Sequence, residues 1–360
     1  MEASMVETAE NSTVNEKRWK KSWDMHWEKL VGFLFVLPSL IAIAIFVYGF
    51  IGWTGWVSVS NWKRGAQPDY TYSGFDSYER LFGTQEKYKA GIDFRRFSAS
   101  MRNVVGFTLL FLLACIVIGF SLAALLDRAI MGESIFRSVF LFPMAISFIV
   151  TGLAWRWLFT PGDPNVGTTG INRLFENLGL GWFSPNWASD VVYHIPADSA
   201  VGSFLHSAGL SWFASPSFGV SLGVITLTIA ATWQLSGYTM ALYLAGLRGI
   251  PDDLREAARV DGATEWQIYR HIIIPLLRPV TLSVVIILAH ISLKIYDLVV
   301  AMGGEGQGFV KDMPALNMWD TTYGQSRFAQ GAAIGVVLLI LISILIVPYL
   351  TVSLRQQEER

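Results

Sequence analysis

Apolar positions in this chain collect into long runs separated by short polar stretches. A membrane helix needs about 20 mostly apolar residues, because a ~30 Å hydrocarbon core is crossed at ~1.5 Å per residue. No charge occurs between Lys29 and Lys63, and Leu30–Trp53 within that stretch is long enough to cross. A second charge-free run lies between Arg102 and Asp127. Further runs cover Ser138–Phe159, with Arg156 near its end, and Phe218–Leu247. The last two are Pro279–Met302, interrupted by Lys294 and Asp297, and Phe328–Leu354. The pattern predicts an all-α polytopic membrane protein with six transmembrane helices.

Lys and Arg in short flanks mark the cytoplasmic side. The N-terminal flank carries Lys17, Arg18, Lys20, Lys21 and Lys29. The second–third connection holds Arg128 and Arg137, and the fourth–fifth holds Arg248, Arg255, Arg259, Arg270 and Arg278. Thr160–Ser217 has only Arg173. Residues 54–99 carry seven basic residues, but long loops cross largely regardless of charge. Both termini are therefore expected in the cytoplasm. The expected layout is a cytoplasmic tail at 1–29, a membrane domain at 30–354 and a short tail at 355–360. Outer segments at about 54–99 and 161–217 are either short helices forming a cap or irregular loops on the helix ends.

Composition agrees: 52% of the 360 residues are hydrophobic and 15% charged, against roughly a quarter charged in soluble domains. The net charge of −1 gives no reason to expect nucleic acid. The polar first 29 residues lack the apolar core of a cleaved signal peptide. The single cysteine, Cys115, lies in an apolar run and reads as a buried inert thiol. No nucleophile–base pair or metal-ligand cluster stands out, so neither chemistry nor a bound cofactor or metal is expected of this chain.

The most informative stretch is cytoplasmic, Gly249–Pro279. Pro251 suits the first helical position, and Asp252, Asp253 and Glu256 load a first turn with acids. That helix should run to about Val260, with Gly262 as a left-handed cap. Thr264 and Gln267 form a capping box for a second short helix reaching Pro275. Two short helices joined by a Gly turn, with small Ala257 and Ala258, suit a partner's groove. A connector lying on lipid is the alternative, and it predicts a basic face opposite large apolar residues.

The spacing Glu256-Ala257-Ala258, Gly262, Ile272, Ile274 and Pro275 resembles the EAA loop of ABC importer permeases. Ile274 stands where that family usually has leucine. The resemblance implies the type I importer permease fold and a coupling helix docking an ATPase subunit through Glu256, Ala257, Ala258, Asp261, Gly262, Ile272 and Pro275. It further implies a second permease subunit, two ATP-binding subunits carrying ATP and Mg, and an extracytoplasmic binding protein. The location implied is the bacterial inner membrane. The chain has no G-x-x-x-x-G-K-[ST] phosphate loop, so ATP would act elsewhere.

Phe142–Gly162, Ala231–Pro251 and Ser292–Gly308 resemble carbohydrate-importer permeases, nearest to those for glucose, mannose and α-glucosides. Glu305 replaces a proline common in that family. Sugar contacts would fall to Trp233, Tyr238, Lys294, Tyr296, Asp297 and Asn317. Trp155 and Trp157 read more readily as interface anchors. Lys294 and Asp297 lie three apart, on one helical face, so a mutual ion pair and a substrate role stay open. A permease for a non-sugar solute, a secondary transporter and a polytopic membrane enzyme are the competing readings. The five scattered histidines do not favour the last.

Overall fold

The computed structural model describes residues 31–358, except 64, 66, 84, 86, 88–90, 129–130, 161, 164–166, 182–186, 188–199, 208–220 and 305–308. The basic residues of the N-terminal flank, Glu305 and much of the 161–217 segment lie outside the described residues. The chain divides into two units, Met1–Trp56 and Val57–Arg360. The first contributes most of α1 (Val31–Ser58), an apolar helix with a π-turn at Ala44–Gly49.

In the second unit, α2 is Asp76–Phe82, α3 Ile92–Leu126, α4 Glu133–Leu141 and α5 Phe148–Leu158. A minimal hairpin of β1 (Gly162–Asp163) and β2 (Gly167–Thr168) leads to α6 (Gly170–Asn177) and α7 (Ala200–Ser207). Then come α8 (Leu222–Arg248), α9 (Asp252–Val260) and α10 (Glu265–Leu276). The rest are α11 (Arg278–Leu293), α12 (Asp297–Ala301), α13 (Pro314–Trp319) and α14 (Phe328–Glu358). The fold is helical, as expected. The two segments expected on the outer side hold short helices, α2 in one and α6 and α7 in the other.

Among the described residues three helices are long and apolar enough to cross a membrane: α1, α3 and Phe328–Pro348 of α14. Two bent pairs pass the same test together, Glu133–Ala145 with α5 at 96° and α10 with α11 at 63°. The expected uninterrupted third span is therefore corrected to a sharply broken one. Ile146 and Ser147 are extended at the break, and Ser147 accepts from the Val150 N–H at 3.3 Å. Gln234 Nε2 donates to the exposed Ile146 carbonyl at 2.6 Å. A side chain from another helix thus satisfies the group the bend releases.

The predicted fourth span is α8, the most extensively buried of the long helices among the described residues. Of its 27 residues 17 are buried, including Thr226, Thr228, Thr232, Gln234 and Thr239. It can carry this many polar residues because it faces protein rather than lipid. Thr226, Thr228 and Thr239 return their hydroxyls to carbonyls of their own helix. α8 packs most extensively against α3. Gly119 of α3 permits this, since a Cβ there would lie 2.6 Å from Thr239 Cγ2. Gly237 meets the Phe140 carbonyl oxygen, which an added Cβ would approach to 1.9 Å. Small residues at crossings are how membrane helices pack without a hydrophobic drive. Cys115 is fully buried in this core.

Candidate functional site

α9 and α10 form the compact element expected of Gly249–Pro279. Pro251 is the exception: its ψ of 134° is extended, so it caps α9 rather than opening its first turn. Asp252 and Asp253 still occupy that turn, where acids complement the helix dipole. α9 ends at Val260 and is closed by Gly262, with φ of +81°. The Ala263 N–H donates to the Ala258 carbonyl at 2.9 Å and the Gly262 N–H to Arg259 at 3.0 Å. These two bonds make a Schellman cap, which needs a left-handed residue at that point.

Thr264 begins α10 with the reciprocal capping box. The Thr264 N–H donates to Gln267 Oε1 at 2.7 Å, and the Gln267 N–H to Thr264 Oγ1 at 3.4 Å. Helix α10 then passes through a π-turn at Tyr269–Ile273 and carries Pro275 within its last turn. The break falls after it, at Leu277 (φ −82°, ψ 0°).

The element is fixed to the bundle on one side and open on the other. Ile268, Ile273 and Leu277 are buried in the main core, and Ala258 packs on it. Arg255 Nη1 bonds Asp127 Oδ2 at 2.7 Å, tying the element to the α3–α4 connection, and Arg248 Nη2 at the end of α8 bonds Glu133 Oε1 of α4 at 2.6 Å. Arg259 and Glu265 pair at 2.9 Å across the Gly turn. Glu256, Ala257, Asp261 and Gly262 are exposed, while Ile272 and Pro275 are half-buried. Val260 at 87% and Trp266 at 68% add a large exposed apolar surface. Neither was singled out from sequence, where an isolated Val or Trp in a polar loop carries no pattern. The Arg255–Asp127 tether joins residues 128 apart and has no local signal.

The residues expected to contact substrate separate into two groups. Trp233 is 41% exposed on α8, and its ring meets Trp155 edge-on at 6.0 Å. Trp155, expected to be an anchor, also stacks on Phe159, while Trp157 is exposed. Tyr238 is half-buried.

The second group surrounds a break between α11 and α12. The expectation that Lys294 and Asp297 share one helical face is corrected. Lys294 (φ −111°, ψ 15°) and Tyr296 (φ −127°, ψ −58°) leave the helix, and Asp297 starts a new one. Both charges are exposed, and no ion pair joins them among the described residues. α12 ends in a second Schellman cap, with the Gly304 N–H donating to Val299 at 2.8 Å and Gly303 to Val300 at 3.0 Å. The Gly-rich run thus begins as the turn expected of it. Asn317 is buried and accepts from Thr321 Oγ1 at 3.0 Å, so it faces inward.

Comparison with protein families matches residues 115–356 to the binding-protein-dependent transport system inner membrane component. The chain belongs to this family. A probable ABC transporter permease of Pyrococcus horikoshii is 34% identical over 90% of this chain and 96% of its own length. The xylose/arabinose import permease of Haloferax volcanii is 32% identical, over 88% and 86% respectively. Among solved structures, the bacterial alginate ABC transporter, in complex with a pentasaccharide-bound periplasmic protein, superposes with a TM-score of 0.64. The identity there is 17%, covering 90% of this chain and 94% of that one. This chain is thus an ABC permease, a membrane transport component rather than an enzyme.

Proposed function

We propose that this ABC permease imports a sugar, driven by ATP hydrolysed on separate subunits, and that α9–α10 is its docking element for an ATPase subunit. In this reading Glu256, Ala257, Ala258, Asp261 and Gly262 meet that subunit, and Ile272 and Pro275 hold α10 in place. The observation carrying it is an exposed two-helix element with a Schellman cap, a capping box and an ion-pair tether to the bundle. A connector spread on lipid has no need of so fixed a shape. ATP and Mg belong to the two ATP-binding subunits, since this chain lacks a phosphate loop.

The full transporter would hold a second permease subunit and an extracytoplasmic sugar-binding protein in the cytoplasmic membrane. The periplasmic protein bound to the alginate transporter supports the latter partner. If α8 is counted with α1, α3, α14 and the two bent pairs, the spans would number six; an even number would leave both termini on one side, which the Lys and Arg flanks suggest is the cytoplasm. Sugar is supported by the xylose/arabinose permease among its relatives. Trp233 with Trp155, Tyr238, Lys294, Tyr296 and Asp297 would line the path, with Asn317 as internal support. The two permeases would expose that path alternately to either side as the ATPase subunits close and open.

The test is uptake by the complete transporter in proteoliposomes carrying Glu256→Lys. Loss of ATP-driven uptake and weakened ATPase-subunit retention are expected. Unchanged uptake and assembly would overturn the docking assignment.

A further inference from the structure

Tyr296 at the α11–α12 break does not stand alone. Its ring lies 5.9 Å from Trp319, inclined at 47°, and Trp319 lies 6.1 Å from Tyr323 at 49°. Trp319 closes α13, and Tyr323 sits in the π-turn Asp320–Gly324 that follows. Trp319 is 40% exposed and Tyr323 67%. Three aromatic rings thus run from a break in a membrane helix across an outer connection, Tyr296 half-buried and Trp319 and Tyr323 exposed.

The platform beneath is fixed. Pro314, Ala315, Leu316 and Asn317 are buried, and Asn317 holds Thr321 one turn on. Asp320, beside Trp319, is bonded by Arg96 of α3 and by Gln325. Ring position is therefore set by the fold before any ligand arrives, which reduces the ordering cost of binding.

Two features argue against a lipid-facing role. Non-helical backbone at membrane depth is tolerated where it is buried or lines a hydrated cavity. Exposed charges in a span likewise face a cavity, and Lys294 and Asp297 flank Tyr296 on both sides. An aromatic row beside such a cavity offers apolar faces with polar groups at its edge. That matches a sugar, whose rings carry C–H faces and peripheral hydroxyls.

Resting on the sugar-import reading, we infer that Tyr296, Trp319 and Tyr323 form a stacking track that receives the sugar ring at the outer end of this subunit. Lys294 and Asp297 hydrogen-bond its hydroxyls at the inner end of the track. The track is a specificity element for solutes with an apolar ring face.

The experiment uses the assembled transporter with its ATPase subunits, second permease and binding protein in proteoliposomes. The probes are radiolabelled xylose, arabinose, maltose and trehalose. Trp319→Ala and Tyr323→Ala should each lower kcat/KM for uptake roughly 2- to 12-fold, the range of one aromatic contact. Trp319→Phe, which keeps an aromatic face, should stay near wild type in uptake. Transported sugar should also slow thiol labelling of Tyr323→Cys. If the wild type imports a probe while both Ala variants match it and sugar gives no protection, the track is overturned and the import reading stands. If the wild type imports none of the probes, the sugar reading falls and the track falls with it.

Discussion

Gly262 separates backbone strain from steric clash. Its φ is +81°, and a Cβ built there meets nothing within 4 Å. Gly262→Ala therefore costs only the left-handed conformation, about 1–2 kcal/mol for a residue with a Cβ. Asn visits that region more readily, and a β-branched residue least. The expected order is Gly, then Asn, then Ala, then Val. If the turn holds, the cost appears as lower stability of the solubilised permease. If the turn yields, the Schellman bonds from Gly262 and Ala263 break and α9 loses its placement against α10. Retention of ATPase subunits then falls roughly 5- to 30-fold, the same energy expressed as an equilibrium. Thermal unfolding by intrinsic fluorescence reads the first, and titration of ATPase subunits onto immobilised permease the second. Ala equal to Gly in both measurements would refute the role assigned to the turn.

Gly237→Ala should abolish folded permease altogether, because the partner at 1.9 Å is the Phe140 backbone rather than a side chain that can swing away. Yield of monodisperse protein checks it, with Gly32→Ala, which meets nothing within 4 Å, as the neutral comparison. Arg255→Met leaves the nearly buried Asp127 carboxylate without its ion partner and should destabilise by roughly 3 kcal/mol. Adding Asp127→Leu should recover much of the loss in thermal unfolding. Asp312, in the α12–α13 connection, is buried, and this outweighs its bond to Arg96 and pushes its carboxyl up to about 6. The fold then binds that proton more tightly than the unfolded chain, so stability should fall as pH rises from about 4 to about 6. Asp312→Asn should flatten that part of the profile, and an unchanged slope would count against it.

The α9–α10 element was legible because its signals are local. Gly262, Thr264 and Gln267 act within one helical turn, so composition and spacing alone placed the cap and the capping box. The break at Ile146–Ser147 was not legible as a 96° bend. Ser138–Phe159 reads as one apolar run, and what stabilises its interruption is Gln234, a donor 88 residues away. Lys294 and Asp297 misled for the same reason, since their spacing presumes a continuous helix that ends at Leu293.

By itself the sequence determined the helical membrane character, the approximate position of each apolar run and the turn chemistry of the docking element. These follow from hydrophobicity summed over about 20 residues and from hydrogen bonds spanning three or four. Only the tertiary structure decided which runs bend, which helix is central, and which side chains meet. α8 is the clearest case: its threonines and Gln234 are polar for a membrane span, and the structure buries them in the helix that packs most extensively on α3. Burial against protein lets polar groups find partners that lipid cannot offer, and partners distant in sequence leave no periodic trace.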